Sequence, residues 1–212
     1  MATRRMPLQN RVTPTGDIVS DPGRGLLMGN RGCIHRPDRT LGVTRWRSRL
    51  WIACVLDYRG RKRDPMPEGR WTALFFLDEA TALAAGHRPC CYCRRPDYLA
   101  YAGAWQRAHG LDRQPRATEM DARLHGERVE PRTRRKLTRP ARLAALPDGA
   151  FVRLGGTAAL WLGGALLPWS FSGYGAPLER PGDEVELLTP PATVAVLAAG
   201  YRPLVHPTAH RG

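Results

Sequence analysis

The sequence predicts an α+β protein in which a basic body, residues 1–142, carries a small β-rich, barrel-like unit, residues 143–212. Three observations lead there. Short runs of β-favouring residues, broken by Gly and Pro, dominate both ends of the chain. Between them lie three segments with a helical pattern. The basic residues also thin out abruptly after Arg142. At 212 residues the chain can bury one sizeable core, or two small ones in contact, and its 42% apolar and 25% charged residues are those of a globular protein.

The stretch "PTGDIVSDPGRGLLMGNRGCIHRPD" predicts short strands or extended segments without a long helix. Residues 51–57, "WIACVLD", form the first strong strand pattern and "WTALFFL" the second; the basic loop between them makes the pair read as a hairpin. In "DEATALAAG" Asp78 is placed as an N-cap and Gly86 as the C′ residue of an Ala-rich helix. A second helix, "PDYLAYAGAWQRAHG", opens on Pro96 and closes on Gly110. A third, "ATEMDARLHGERVE", puts Met120 and Leu124 on one face and aligns Asp121, His125 and Arg128 at i, i+4, i+7. From Leu146 onward four short strands are expected in "LPDGAFVRLGG", "AALWLGG", "ALLPWS" and "DEVELLT", with Gly163-Gly164 as a hairpin turn. Thr189 as N-cap and Pro190 at N1 begin a last short helix.

The longest apolar run, residues 158–169, is too short to span a bilayer, and the first twelve residues carry charge but no apolar signal-peptide segment. These features predict a cytoplasmic protein without a membrane partner, whose clustered cysteines are metal ligands or reactive thiols rather than disulfides. The charge is uneven. Residues 1–142 hold 29 basic against 14 acidic residues, a net of +15, while residues 143–212 hold 4 against 5, a net of −1. A genomic preference for arginine would spread it evenly, so the asymmetry points to a polyanionic partner, duplex DNA first.

The stretch "AGHRPCCYCRRPD" sets Cys90 and Cys93 at the spacing of half a tetrahedral zinc site. The surrounding "FFLDEATALAAGHRPCCYCRR" resembles the metal-binding N-terminal domain of the Ada family of DNA methylphosphotriester repair proteins. Paired aromatics, an Ala-rich helix and a Gly-x-Arg-Pro-Cys-x-x-Cys turn follow in the family's order, over roughly residues 45–97. The resemblance implies an Ada-like body of β-hairpin, helix and cysteine turn. It also implies a first cysteine pair near Arg59 and Arg63, where this chain has arginine, so methyl transfer is not expected. Cys33 and His35 in "NRGCIH" are then the candidates to complete a structural Cys₃His zinc site, with Cys91 a spectator. The competing reading leaves Cys33 and Cys54 as small buried hydrophobes and the cluster reduced.

For chemistry, Asp121 one helical turn from His125 suits a general base, although a plain surface i,i+4 pair has the same spacing. Asn30, between Gly29 and Gly32, suits either a base-reading amide or a tight turn. Phosphate contacts are assigned to Arg31, Arg59, Arg61, Lys62, Arg63, Arg88, Arg94, Arg95, Arg134, Arg135 and Lys136. Trp46, Tyr92, Tyr98, Tyr101 and Trp105 offer stacking or core. Lys62 and Lys136 are the only lysines and lie in basic segments, which favours hydrolysis over Schiff-base chemistry. The expectation is a monofunctional DNA glycosylase of repair or defence type that hydrolyses the N-glycosidic bond of a modified base. A non-catalytic DNA-binding regulator or damage sensor, and an RNA-directed factor, are the alternatives.

Overall fold

A short helix made almost entirely of small residues can approach its neighbours closely on every side, and the architecture is built on one. A computed structural model describes residues 6–60, 64–180 and 182–210. Strands β1 (Gln9–Val12), β2 (Ile18–Ser20), β3 (Leu27–Asn30), β4 (Ile52–Val55) and β5 (Leu74–Phe76) precede helix α1 (Glu79–Ala84), and β6 (Arg88–Pro89) follows it. These six strands form one mixed sheet in the order β2-β1-β5-β3-β4-β6. Every residue of α1 is buried.

The expected hairpin does not form. The two strong strands, β4 and β5, both pair antiparallel with β3, Met28 lying opposite Cys54 on one side and Phe75 on the other. The long basic loop gives the chain enough reach to skip a position, and the short "LMGN" strand fills the gap between two apolar partners.

Helices α2 (Arg95–Ala108) and α3 (Ala117–Arg128) come next, followed by β7 (Arg139–Arg142), β8 (Phe151–Leu154), β9 (Thr157–Leu162), β10 (Ala165–Ser170), β11 (Gly173–Tyr174), β12 (Glu184–Leu187) and α4 (Pro191–Ala198). The second sheet runs β11-β10-β9-β8-β12-β7, open between two edge strands, and takes in Arg139–Arg142 ahead of residue 143. Gly163 and Gly164, at φ 56° and 78°, make the tight turn between β9 and β10. The last helix starts one residue later than expected. Pro190 is its N-cap, and the Thr189 hydroxyl instead accepts from the Phe151 N–H at 2.8 Å.

Helix α1 sits where three cores meet. Ala82 packs with Val12, Leu27, Ala53, Leu74 and Phe76 of the first sheet. Ala80 and Ala84 pack with Phe151, Leu160 and Leu167 of the second. Leu83 joins Tyr98, Tyr101, Trp105, Met120, Leu124 and Val196 among α2, α3 and α4. Tyr98, Tyr101 and Trp105 are therefore core residues. Among the described residues no helix is long and apolar enough to cross a membrane.

The start of α1 is fixed by two buried carboxylates. Asp78 caps the helix through the Thr81 N–H at 2.8 Å and also accepts from the Tyr174 hydroxyl at 2.7 Å and the His206 N–H at 2.9 Å. Glu79 accepts two bonds of 2.9 Å from Arg94, one of 2.7 Å from the Tyr201 hydroxyl and one of 2.9 Å from the Leu204 N–H. Arg94 is thus an interior residue, not a phosphate contact. Its other partner, Asp97, has a side chain 47% exposed. Glu79→Ala is expected to cost about 3–5 kcal/mol of stability, because it strands a buried guanidinium, whereas Asp97→Ala costs under about 1 kcal/mol. Urea denaturation of the two variants checks the contrast.

Candidate metal centre and cavity

At the C-terminus of α1, Gly86 takes φ +90°; a Cβ there would come within 2.6 Å of the Arg128 side chain. This turn swings the chain into β6, which runs parallel to β4 with Ile52 opposite Arg88 and Ala53 opposite Pro89. The ladder continues through the Cys90 N–H, which donates to Ala53 O at 2.9 Å. One residue beyond each paired position stand Cys54 and Cys90. The turn after Cys90 brings back Cys93, and the Tyr92 N–H points at Cys90 Sγ at 3.4 Å. The Sγ atoms of Cys54, Cys90 and Cys93 all lie within 4.8 Å of one another.

Three convergent sulfurs can hold a metal ion. Hydrogen bonds from Cys54 and Cys93, helped by the backbone, hold the Cys90 thiol far down, to about 2. Cys54 is pushed far up by its bonds to Cys90 and Cys93, and then by burial. In Cys93 the bond to Cys54 lowers the pKa, but Cys90 and burial outweigh it and the net direction is upward. Of the three, Cys90 is the thiol whose deprotonation its neighbours favour most. A cation bound by the three sulfurs would displace thiol protons.

The sulfurs line a cavity of about 750 Å³. Period-two alternation explains its floor. Ala53 of β4 faces the α1 core, so Ile52 and Cys54 face the opposite way, alongside Met28 and Asn30 of β3 and Phe75 of β5. The β4–β5 loop contributes Asp57, Tyr58, Asp64 and Trp71. The Tyr58 and Tyr92 rings meet at 5.2 Å, and the Arg59 guanidinium stands 5.2 Å from the centroid of Tyr58. Asp64 is held by Arg39 at 2.7 Å, while Asp57 accepts from the Gly60 N–H at 2.8 Å.

Of the candidate site and stacking residues singled out from sequence, Cys90, Cys93, Asn30 and Tyr92 meet at this cavity. Asn30 also forms a turn, accepting from the Gly32 N–H at 3.2 Å. Cys33 and His35 do not join the sulfurs. Both ring nitrogens of His35 are engaged, Nδ1 with the Thr72 hydroxyl at 2.6 Å and Nε2 with Pro67 O at 3.2 Å. Cys54 takes the place assigned to them. Its strand placement was legible, but its pairing with a cysteine from beyond α1 was not. Cys91 is exposed and outside the cluster.

Asp121 and His125 take different partners. Asp121 is 1% exposed and binds Arg88 through bonds of 3.1 and 2.6 Å, which also removes Arg88 from any phosphate surface. His125 Nδ1 lies 3.3 Å from Arg128 Nη2, and its ring stands edge-on to Trp46. Arg31 is buried as well. Arg59, Arg95, Arg134 and Arg135 are exposed and Lys136 is half-buried, while Arg61, Lys62 and Arg63 lie outside the described residues.

No family model, curated protein or solved structure matches the chain.

Purified protein is expected to carry one equivalent of metal by elemental analysis. Cys54→Ser and Cys93→Ser lose it, whereas Cys33→Ser, Cys91→Ser and His35→Ala retain it. Affinity falls on acidification, because binding displaces thiol protons. Asp121→Asn lowers stability by about 3–5 kcal/mol, as breaking a buried ion pair does, and leaves metal content unchanged in the folded fraction.

Proposed function

We propose that the protein is a zinc-dependent, DNA-directed hydrolase that acts on a base turned out of the stack into the cavity beside Cys54, Cys90 and Cys93. The observation that carries this reading is the meeting of three cysteine sulfurs with an aromatic-lined cavity of base-accommodating size. Zinc suits three thiolates, since Zn–S bonds of about 2.3 Å place tetrahedral ligands about 3.8 Å apart, inside the 4.8 Å spread of these sulfurs. Among the described residues no fourth His, Cys, Asp or Glu joins the cluster, which leaves one position for water or substrate. Closed structural sites have four protein ligands, and catalytic sites have three. When bound, the ion would supply a Lewis acid that lowers the pKa of a coordinated water.

The chain's own residues divide the remaining work. Tyr58 and Tyr92 offer ring faces for a base, and the Asn30 amide offers a donor and an acceptor for its edge. Arg59, exposed beside Tyr58, is placed for a backbone phosphate. Asp57 takes the carboxylate role that the sequence reading gave to Asp121, either receiving a proton from water or stabilising positive charge that develops on the sugar. Excision of a modified base, leaving an intact strand with an abasic site, is the reaction these roles serve. The resemblance to the Ada family, whose N-terminal domain joins a metal-binding cysteine cluster to DNA repair, supports the same partner.

The test incubates zinc-loaded protein with duplex and single-stranded oligonucleotides carrying different modified bases, followed by mass spectrometry. Free base with an intact abasic strand is expected, lost in Cys54→Ser and reduced at least a hundredfold in Asp57→Asn. Salt-sensitive binding without any change in DNA mass would contradict the hydrolase and favour a non-catalytic damage sensor. Preferential binding of RNA in competition would contradict the choice of DNA.

A further inference from the structure

A second polar interior lies around Trp51, where arginine and lysine are buried without an acid in direct contact; Asp17 and, for Arg128, Asp121 act on them from farther away. The Arg31 and Arg128 guanidiniums each stack on the Trp51 ring, both 3.9 Å from its centroid. Arg31 is 1% exposed and Arg128 0%. Lys136 is half-buried as a residue, but its Nζ lies inside and donates to Ala84 O. The bonds these cations make go to neutral groups. Arg31 donates to Gly16 O at 2.9 Å and to His87 Nε2 at 3.3 Å; Arg128 donates to Gly86 O and Arg49 O, each at 2.8 Å. Arg31 Nη2 and Arg128 Nε have no partner. Among the described residues no carboxylate lies within 4.0 Å of Arg31, Arg128 or Lys136.

Buried like charges without a counter-charge are costly, because each loses hydration and repels the others. Burial, and then Arg128, depress Arg31 well below its usual range. Burial, with Arg31 and Arg128, pushes Lys136 down to about 7. His87, enclosed by the same cations, is held neutral by burial and by Arg31 and Arg128. The group is not sealed. Arg31, Trp51, Arg128 and Lys136 line a cavity of about 40 Å³, enough for a few waters or one small oxyanion. That cavity shares Thr15, Asp17, Arg45, Arg134 and Lys136 with an open cleft of about 700 Å³ that also bears Arg132, Arg135 and Arg153. The acid lining the small cavity is the exposed Asp17, whose Oδ2 accepts from the Thr15 hydroxyl at 2.7 Å.

We propose that this cavity is a binding site for a phosphate-class oxyanion, with Arg31 Nη2, Lys136 and Arg134 as its donors and the arginine-lined cleft as its entrance. An oxyanion there would give Arg31 Nη2 a charge-assisted partner and supply a counter-charge in direct contact, which neither Asp17 nor Asp121 provides. The site is separate from the cysteine cavity and does not rest on the hydrolase reading. The same chemistry fits inorganic phosphate or the terminal phosphate of a nucleic-acid strand led in along the cleft.

Calorimetric titration of the full chain with inorganic phosphate, against chloride at equal ionic strength, tests the site. One phosphate is expected to bind and to raise the thermal midpoint where chloride does not. Lys136→Met should weaken binding at least tenfold. Asp17→Asn, at an exposed position, should tighten it several-fold by removing the repelling charge, and it decides the matter if the buried variant does not fold. Phosphate indistinguishable from chloride, or bound equally by wild type and Asp17→Asn, would overturn the proposal. A 5′-phosphorylated oligonucleotide that binds more tightly than its 5′-hydroxyl twin identifies a strand end as the source; equal binding of the two, with phosphate still bound, identifies the free ion. Cys54→Ser should keep phosphate binding while losing metal, so failure of either site is read separately.

Discussion

The two carboxylates that open α1 tie the distant parts of the chain together. Asp78 joins the helix to β11 through Tyr174 and to the C-terminal segment through His206. Glu79 joins it to the start of α2 through Arg94 and to the same C-terminal segment through Tyr201 and Leu204. Polar groups buried in a core are costly without such partners. Because all of these partners meet at one six-residue helix, the sheets and the helical layer are fixed relative to it. The Gly86 turn then delivers β6 against β4, so the placement of Cys90 beside Cys54 follows from the burial of α1.

The excess of arginine acquires two meanings once the interior is known. Arg88 and Arg94 are paired with Asp121 and Glu79 and act as struts. Arg31 and Arg128 are buried without an acid in direct contact and need an external anion or a network of carbonyls. A guanidinium suits both uses, because its flat face stacks on Trp51 while its edges donate in several directions. Exposed Arg132, Arg134 and Arg135 line one open cleft. Charge counted from sequence therefore overstates the basic surface, since it also counts the buried struts Arg88 and Arg94.

What was legible in the sequence was local. The Asp78 cap, the Gly86 stop, the Gly163-Gly164 turn and the apolar faces of α2 and α3 depend on residues within a few positions of one another. The misreadings all involve distant partners. Thr189 resembles an N-cap, but its hydroxyl is taken by Phe151. Strands β4 and β5 resemble a hairpin, but β3 lies between them. Asp121 and His125 share a helix face, yet Arg88 arrives from β6 and claims the carboxylate. Cys54 looked like one more small strand residue, and only the parallel pairing with β6 brings it beside Cys90 and Cys93. The one hint available was its parity, since it alternates with Ala53, the residue that faces the core.

We propose that Cys54, Cys90 and Cys93 hold a metal that keeps one position open to the cavity. X-ray absorption at the zinc edge of the purified protein tests it most directly. Three sulfur scatterers near 2.3 Å and one lighter oxygen or nitrogen are expected, with the sulfur count falling to two in any metal retained by Cys54→Ser. Four sulfurs, a histidine signature that disappears in His35→Ala, or no bound metal at all would contradict it.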